Sequence, residues 1–303
     1  MSNYNVKRAN AKSIINRVMS NANGINTSKI KARANSDVYG ENGHKVSTKT
    51  HSIKETQNLR TVTTQYIGFV KENYPGRVAA NIHTESAMSF LSFKAETVGS
   101  GTLNTYTSLM NKVSDNLNKD KIGSLSREII KDIKTELKKQ YSFKKNHINR
   151  AYKDVEAIQA EMKHTTMNIS SDLQIKAGLR VDDAINSSKW TINSDNSLTI
   201  KGSKGGIEYT TRSLSNEFIQ KVANAKEMNY KANYTEYRET IKEAIEATGQ
   251  DYNGSHGLRY NFAQERQDEL MKSGRTRLEA DAQTSLELGH SRISITAHYT
   301  TFK

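Results

Sequence analysis

The chain of 303 residues contains no cysteine. That excludes disulfide frameworks, thiolate zinc sites and cysteine nucleophiles together. It is also compatible with a reducing cytoplasm. One proline and 17 glycines exclude collagen-like and proline-rich disordered chains. The near absence of proline leaves room for long helices. No apolar run reaches the ~18 residues that a membrane span needs. The polar, basic stretch Met1–Ser13 has no apolar centre, so it does not read as a secretory signal. Hydrophobic residues make up only 35%, enough for two small cores, and the length suggests two domains. Acidic residues are the minority charge. Against 32 Asp and Glu stand 45 Lys and Arg, a net charge of +13. This balance favours a polyanionic partner such as nucleic acid, or an anionic membrane surface.

The charge is unevenly spread. Residues 1–50 hold nine basic and two acidic side chains, more than half of the net charge. Ile14, Ile15 and Val18 fit a short helix over Ala11–Met19. The stretch from Asn21 to Ser52 is polar and reads as a solvated tail or a basic arm lying on phosphates. Residues 51–140 read as a helical domain. Leu59, Val62, Tyr66, Phe69 and Val70 share one face, and Tyr74-Pro75-Gly76 is a breaker. After the turn at Gly99–Thr102, Leu103, Tyr106, Met110, Val113 and Leu117 form a single apolar stripe. A basic helical stretch follows. Lys131, Lys134, Lys138, Lys139, Lys144, Lys145 and Arg150 crowd its polar side and its end, a pattern suited to a solvated face or to a DNA backbone.

The third segment, 141–303, changes texture. Leu173–Ile185 reads as a helix. Trp190–Ile192, Leu198–Ile200 and Ile207–Thr211 alternate apolar and polar, separated by Asn/Ser- and Gly-rich turns. They predict a small antiparallel meander. Helical pattern resumes over Asn216–Ala247, His256–Met271 and Ala280–Leu288, with a last short helix after a break at Gly289–Ser291. The fold class expected is mainly α with a small antiparallel β-sheet (α+β).

Four features of this segment belong together. They are Gly178-Leu-Arg180 with Asp183, the strand-end Lys201 with Lys204 in the following turn, His256-Gly-Leu-Arg259, and Leu288-Gly-His290 with Ile293, Thr296 and Tyr299. In order and spacing they resemble the tyrosine recombinase (phage integrase) family. That family runs G-L-R-x-x-E, a strand-end lysine, H-x-L-R-H-x-F-A, and L-G-H-x-x-I-x-x-T-x-x-Y. The resemblance covers roughly residues 170–303 and implies a recombinase catalytic domain. The helical domain before it is compatible with the family's core-binding domain.

The resemblance implies a chemistry that suits these residue types. A phenol attacks a phosphodiester and must lose its proton as it does so. Tyr299 would be the nucleophile and would form a 3′-phosphotyrosine. Arg180 and Arg259 would hold the non-bridging oxygens by planar, permanently charged forks. Lys201, with Lys204 as the second candidate, would protonate the departing 5′-oxygen. His256 and His290 would share the general-base and phosphate-binding duties, and Asp183 would orient an arginine or histidine. Neither metal nor other cofactor is implied, because the covalent link conserves the bond energy.

The implied partner is double-stranded DNA carrying a specific recombination site, bound by four copies of the chain through a Holliday junction. Accessory DNA-bending proteins are compatible with this, a membrane is not implied, and the location would be cytoplasmic, at the nucleoid. Integration or excision of a mobile element and resolution of replicon dimers fit equally. A topoisomerase-like strand cleaver and a non-catalytic DNA-binding protein on the same fold are the alternatives. An RNA-binding module lacks its aromatic strand pattern. Three departures from the family stand out. Tyr260 occupies the place of a frequent second histidine, and 31 residues separate Arg259 from His290. Only Thr300–Lys303 follow Tyr299, where many members carry a helix that docks on a neighbour, so the expected protomer contact lies elsewhere, for instance in residues 1–50. Tyr260, Arg292 and His298 read as DNA-facing or packing residues, and Trp190 as core.

Overall fold

A computed structural model describes residues 10–40, 43–141, 149–290 and 292–300. It is mainly helical with one small antiparallel sheet, and the chain divides into two compact units, Met1–Lys145 and Asn146–Lys303. Among the described residues no helix is long and apolar enough to cross a membrane.

The described residues of the first unit are mainly helical: α1 (Ala11–Ala22), α2 (Lys29–Ala34), α3 (Ile53–Asn73), α4 (Thr84–Ala95), α5 (Ser100–Asn118) and α6 (Arg127–Gln140). Side-chain oxygens of Asn10, Ser52 and Ser126 accept from backbone N–H groups in the first turns of α1, α3 and α6. These caps satisfy donors that a helix start leaves open. The predicted stripe on α5 is buried at Leu103, Met110, Val113 and Leu117, with Tyr106 at its margin. It packs with Leu59, Tyr66, Phe90, Ile130 and Leu137.

Two parts of the expected tail are anchored rather than solvated, α1 and the segment Ser47–Thr50, whereas the described residues between Ile25 and Lys45 are mostly exposed. α1 places Ile14, Val18, Met19 and Ala22 in the same core. Each buried Ile or Val contributes about 1.5–3 kcal/mol, enough to hold a short helix that would be marginal alone. The segment before α3 is tied to α5. Lys112 Nζ donates to the carbonyls of Ser47 and Lys49, each at 2.7 Å, and Asn116 Nδ2 donates to that of Thr48 at 3.0 Å. The described lysines and arginines of that segment stay exposed or half-buried, and the lysine drawn inward is Lys112 of α5. Burial pushes the Lys112 ammonium down against the opposing pull of Glu55.

The second unit runs α7 (Val155–Met162), α8 (Asn168–Lys176), α9 (Val181–Ala184), β1 (Trp190–Ile192), β2 (Leu198–Ser203), β3 (Ile207–Thr210), α10 (Asn216–Glu227), α11 (Tyr234–Ala247), α12 (His256–Lys272), α13 (Arg277–Glu287) and α14 (Ile293–Thr300). The strands form an antiparallel sheet in the order β1-β2-β3, with Trp190 opposite Ile200 and Ile200 opposite Tyr209. These three, Leu198 and the helical residues Leu173, Phe218 and Val222 make one core. Tyr152, Ile158, Tyr237, Ile241 and Leu258 make a second. Tyr260, Phe262, Ala263, Leu288 and Tyr299 make a third, smaller one.

Two expected helices are broken. The helix read over Leu173–Ile185 ends at Lys176, because Gly178 takes φ +63°. A Cβ there would stand 2.4 Å from the Phe262 ring, so conformation and space both call for glycine. The helix read over Asn216–Ala247 is interrupted after Glu227, where Asn229 sits at φ +52° and Asn233 caps α11. β2 also departs from simple alternation. A bulge lies between Ile200 and Ser203, with Gly202 at φ +62°. The extra residue turns Ser203 inward and leaves Lys201 exposed.

Candidate active site

The break at Gly178 positions the first arginine. Leu179 drops into the core and Arg180 becomes the residue that opens α9. Its Nη1 donates to Ser203 Oγ at 3.1 Å and its Nη2 to the carbonyl of Gly289 at 3.1 Å. The guanidinium carbon lies 5.7 Å from the centre of the Tyr209 ring.

Asp183 is buried, and it reaches Arg180 through a hydroxyl. Ser203 Oγ donates to Asp183 Oδ2 at 2.5 Å while accepting from Arg180. Lys189 Nζ lies 2.9 Å from Asp183 Oδ1 and balances the buried carboxylate. The Tyr209 hydroxyl also points at Asp183, at 3.4 Å. Burial pushes the Tyr209 phenol up to about 12, so it stays neutral.

The second arginine lies deeper. Arg259, one turn into α12, is completely buried. Its Nη1 donates to the carbonyl of Gly178 and its Nη2 to that of Leu288 at 2.5 Å. Two breaks in helical structure thus supply the carbonyls that fix the guanidinium. Nη2 also lies 3.0 Å from His290 Nε2. Arg259 Nε is buried with no hydrogen-bond partner. Burial presses the pKa of Arg259 down, yet a guanidinium stays charged at any working pH.

An arginine can only donate, so His290 Nε2 accepts, which assigns the proton to Nδ1. Nδ1–H is then directed to Thr296 Oγ1, 2.8 Å away. Burial, with the charges of Arg259 and Arg180, pushes the His290 imidazole down to about 3. His256 opens α12, and its Nε2 stands 2.7 Å from the Tyr299 hydroxyl. Burial, followed by the charges of Arg259, Arg150, Arg180 and Lys204, pushes it down to about 4. Both imidazoles are neutral at pH 7.

Tyr299 is buried on α14. Its ring stacks on Tyr260 with centroids 4.2 Å apart and planes at 28°, and lies 5.2 Å from the His290 ring. Its carbonyl accepts from Gln264 Nε2 at 2.9 Å. One residue on, Thr300 Oγ1 donates to buried Asp281 at 3.1 Å, which also accepts from Gln267 at 2.6 Å. His256, Arg259, Tyr260, Gln264 and Gln267 lie on one helical stripe of α12, so a single face of that helix seats the last helix.

The structure therefore brings together Arg180, Asp183, His256, Arg259, His290 and Tyr299. Lys201 and Lys204 are both exposed on the hairpin, and the charge of Lys204 acts on His256. Of the basic residues expected to face DNA, Lys131, Lys138 and Lys139 are exposed on α6, and Lys134 is half-buried. Lys139 pairs with Glu136 at 2.8 Å. Lys144 and Lys145 lie outside the described residues. Arg150 is not on an open helical face. It is half-buried in the second unit, and its Nε and Nη2 donate to the Asn253 carbonyl at 3.0 and 2.5 Å.

Ser203, Lys189 and Tyr209 touch Arg180 or Asp183, and the sequence did not mark them. Tyr209 carries a signal in hindsight, as the inward position of a short alternating strand. Ser203 carries none, because its inward turn depends on the bulge. Among the described residues no cluster of His, Cys, Asp and Glu has the arrangement of a metal site.

No family model matches the sequence. No curated protein matches it either. Solved structures do. The XerH site-specific recombinase bound to palindromic difH substrate, in a post-cleavage complex, aligns with TM-score 0.62 at 12% identity, covering 96% of this chain and 93% of that one. A lambda integrase tetramer bound to a Holliday junction aligns with TM-score 0.59 at 13% identity, over 96% and 80%. A lambda integrase (75–356) dimer bound to a COC′ core site aligns with TM-score 0.57 at 14% identity, over 82% and 88%. Both proteins are tyrosine recombinases, and the fold of this chain is theirs.

Proposed function

We propose that the chain is a site-specific DNA recombinase that cleaves and rejoins DNA through a 3′-phosphotyrosine. The observation that carries this reading is the 2.7 Å contact between the Tyr299 hydroxyl and His256 Nε2, set beside two inward-held guanidiniums. A neutral imidazole at that distance can accept the phenolic proton. His290 Nε2 already accepts from Arg259, so His256 takes the base role and His290 fixes the arginine.

In the reaction Tyr299 Oη attacks phosphorus and its proton passes to His256. The new bond joins the tyrosine to the 3′-phosphate and the bond from phosphorus to O5′ breaks. Arg180 and Arg259 stabilise the charge that builds on the non-bridging oxygens. The buried, unpartnered Nε of Arg259 supports this role, since an orphaned donor costs about 1–3 kcal/mol and a phosphate oxygen would satisfy it. Asp183 holds Arg180 through Ser203. The departing O5′ takes its proton from the hairpin, from Lys204 in the turn or from Lys201 at the strand end, both of which are exposed there. Attack by the 5′-hydroxyl of a second strand reverses each step and returns the proton to Tyr299.

By likeness to the lambda integrase tetramer on a Holliday junction, four copies assemble on two DNA sites. Integration, excision and dimer resolution all use this chemistry. The test is a supercoiled plasmid carrying two copies of the DNA flanking the gene, incubated with the protein. Deletion or inversion between the copies supports recombination. Relaxed topoisomers without exchange indicate a topoisomerase-like cleaver. Tight binding with neither indicates a DNA-binding protein on this fold.

A further inference from the structure

Beside the nucleophile lies a second concave site that the strand-cleaving chemistry does not use. It is a cavity of about 630 Å³ lined by Arg150, Arg238, Tyr252, Asn253, Gly254, Tyr260 and His298. Its walls come from the segment before α7, from α11, from the loop ahead of α12, from α12 and from α14. Two guanidiniums line it and no carboxylate does.

Arg150 is fixed there rather than free. Its two bonds to the Asn253 carbonyl hold the guanidinium plane, and Nη1 takes no part in them. Gly254, at φ +85°, makes the room, since a Cβ there would stand 2.9 Å from Arg150 Nη2. Arg238 is exposed on α11. Tyr260 both lines the cavity and stacks on the Tyr299 ring, while His298 immediately precedes Tyr299. The cavity is therefore adjacent to the nucleophile but is not the place where the nucleophile points. The charge of Arg150 acts on both His256 and Tyr260, which places it in the electrostatic field of the reaction.

We propose that this cavity binds a DNA backbone phosphate neighbouring the one that Tyr299 attacks, gripped by Arg150 and Arg238. One fixed guanidinium, Arg150, and one exposed on α11, Arg238, suit a phosphodiester by charge and by fork geometry. The phosphate would seat against Tyr260, which also stacks on the nucleophile. Correct DNA placement and nucleophile orientation would thus be joined through one ring. This rests on the strand-cleaving reading above.

The test uses full-length protein and a nicked duplex taken from the DNA flanking the gene, across the bond at which wild-type protein becomes attached. Each phosphate within three nucleotides of the cleaved bond is replaced in turn by an uncharged methylphosphonate. One flanking replacement is expected to slow adduct formation by about ten- to a hundredfold, the range of a charge-assisted contact. Arg238→Ala, at an exposed position, should slow cleavage of unmodified DNA similarly and lose sensitivity to that one replacement, and Arg238→Lys should recover part of both. Uniform indifference of the wild type to every flanking replacement would overturn the proposal. So would undiminished sensitivity in Arg238→Ala, or sensitivity to an abasic site in place of the methylphosphonate. Failure of wild-type protein to cleave unmodified DNA would remove the strand-cleaving reading and this proposal with it.

Discussion

Tyr299 Oη and His256 Nε2 lie 2.7 Å apart although 43 residues separate them. The contact needs the first residue of α12 and the seventh of α14 to meet over a shared helical face. It forms with the imidazole neutral. His256→Asn keeps a polar side chain but cannot take the proton. It should lower the rate of Tyr299 adduct formation by about 10²–10⁴-fold while leaving DNA affinity within a few fold. Equal rates in wild type and variant, under single turnover, would remove His256 from the base role.

The hairpin lysines separate by the same logic. Replacing the bridging 5′-oxygen by sulfur gives a leaving group that needs no proton donor. Alanine at the lysine that donates the proton should cleave normal DNA slowly and the sulfur-bridged substrate at close to the wild-type rate. Alanine at the other should show little of this rescue. Rescue in Lys201→Ala would match the strand-end motif, rescue in Lys204→Ala would give the role to the turn, and rescue in neither would remove the hairpin from the proton transfer.

Gly178→Ala tests how the two arginines are held. The substitution forces a side chain into φ +63° and against Phe262 and Leu288. Left-handed backbone costs about 1–2 kcal/mol and overpacking about 1–3 kcal/mol more. Thermal unfolding of the second unit should shift down by several degrees. An unchanged unfolding temperature would mean that this segment relaxes freely.

Acidification has a defined sign. His256 and His290 have folded pKa values near 4 and 3, against 6.5 when unfolded. As pH falls below 6.5 the unfolded chain binds protons that the folded one refuses, so stability declines with pH until the folded values are passed. Unfolding temperatures between pH 7 and 4 should therefore fall, and His290→Gln should show a shallower fall. Identical slopes would contradict the burial of a neutral His290.

The candidate site was legible because its motifs are local and their residue types carry a specific chemistry. Gly178-Leu-Arg180, His256-Gly-Leu-Arg259 and Leu288-Gly-His290 each pair a reactive side chain with the backbone feature that positions it. The meander was equally plain from alternation and turn chemistry. What the sequence hid were consequences of packing. Gly178 read as a tolerated residue in a helix, whereas Phe262 leaves space for no side chain there. Ser203 joins Asp183 to Arg180 only because a bulge turns it inward. α1 was visible as a short amphipathic helix, but its place in the core depends on surfaces of α3 and α5 that no local pattern announces. Arg150 looked like one of a run of solvated cations, and its fixing by Asn253 joins positions 103 residues apart.

The most direct test of the strand-cleaving account is mass spectrometry of protein incubated with supercoiled DNA carrying its own genomic flanks, then digested with nuclease and protease. The account predicts a nucleotide-bearing peptide whose phosphate is attached at Tyr299, present in wild type and missing in Tyr299→Phe. Tight duplex binding with an unmodified Tyr299, or an adduct at another residue, would contradict it.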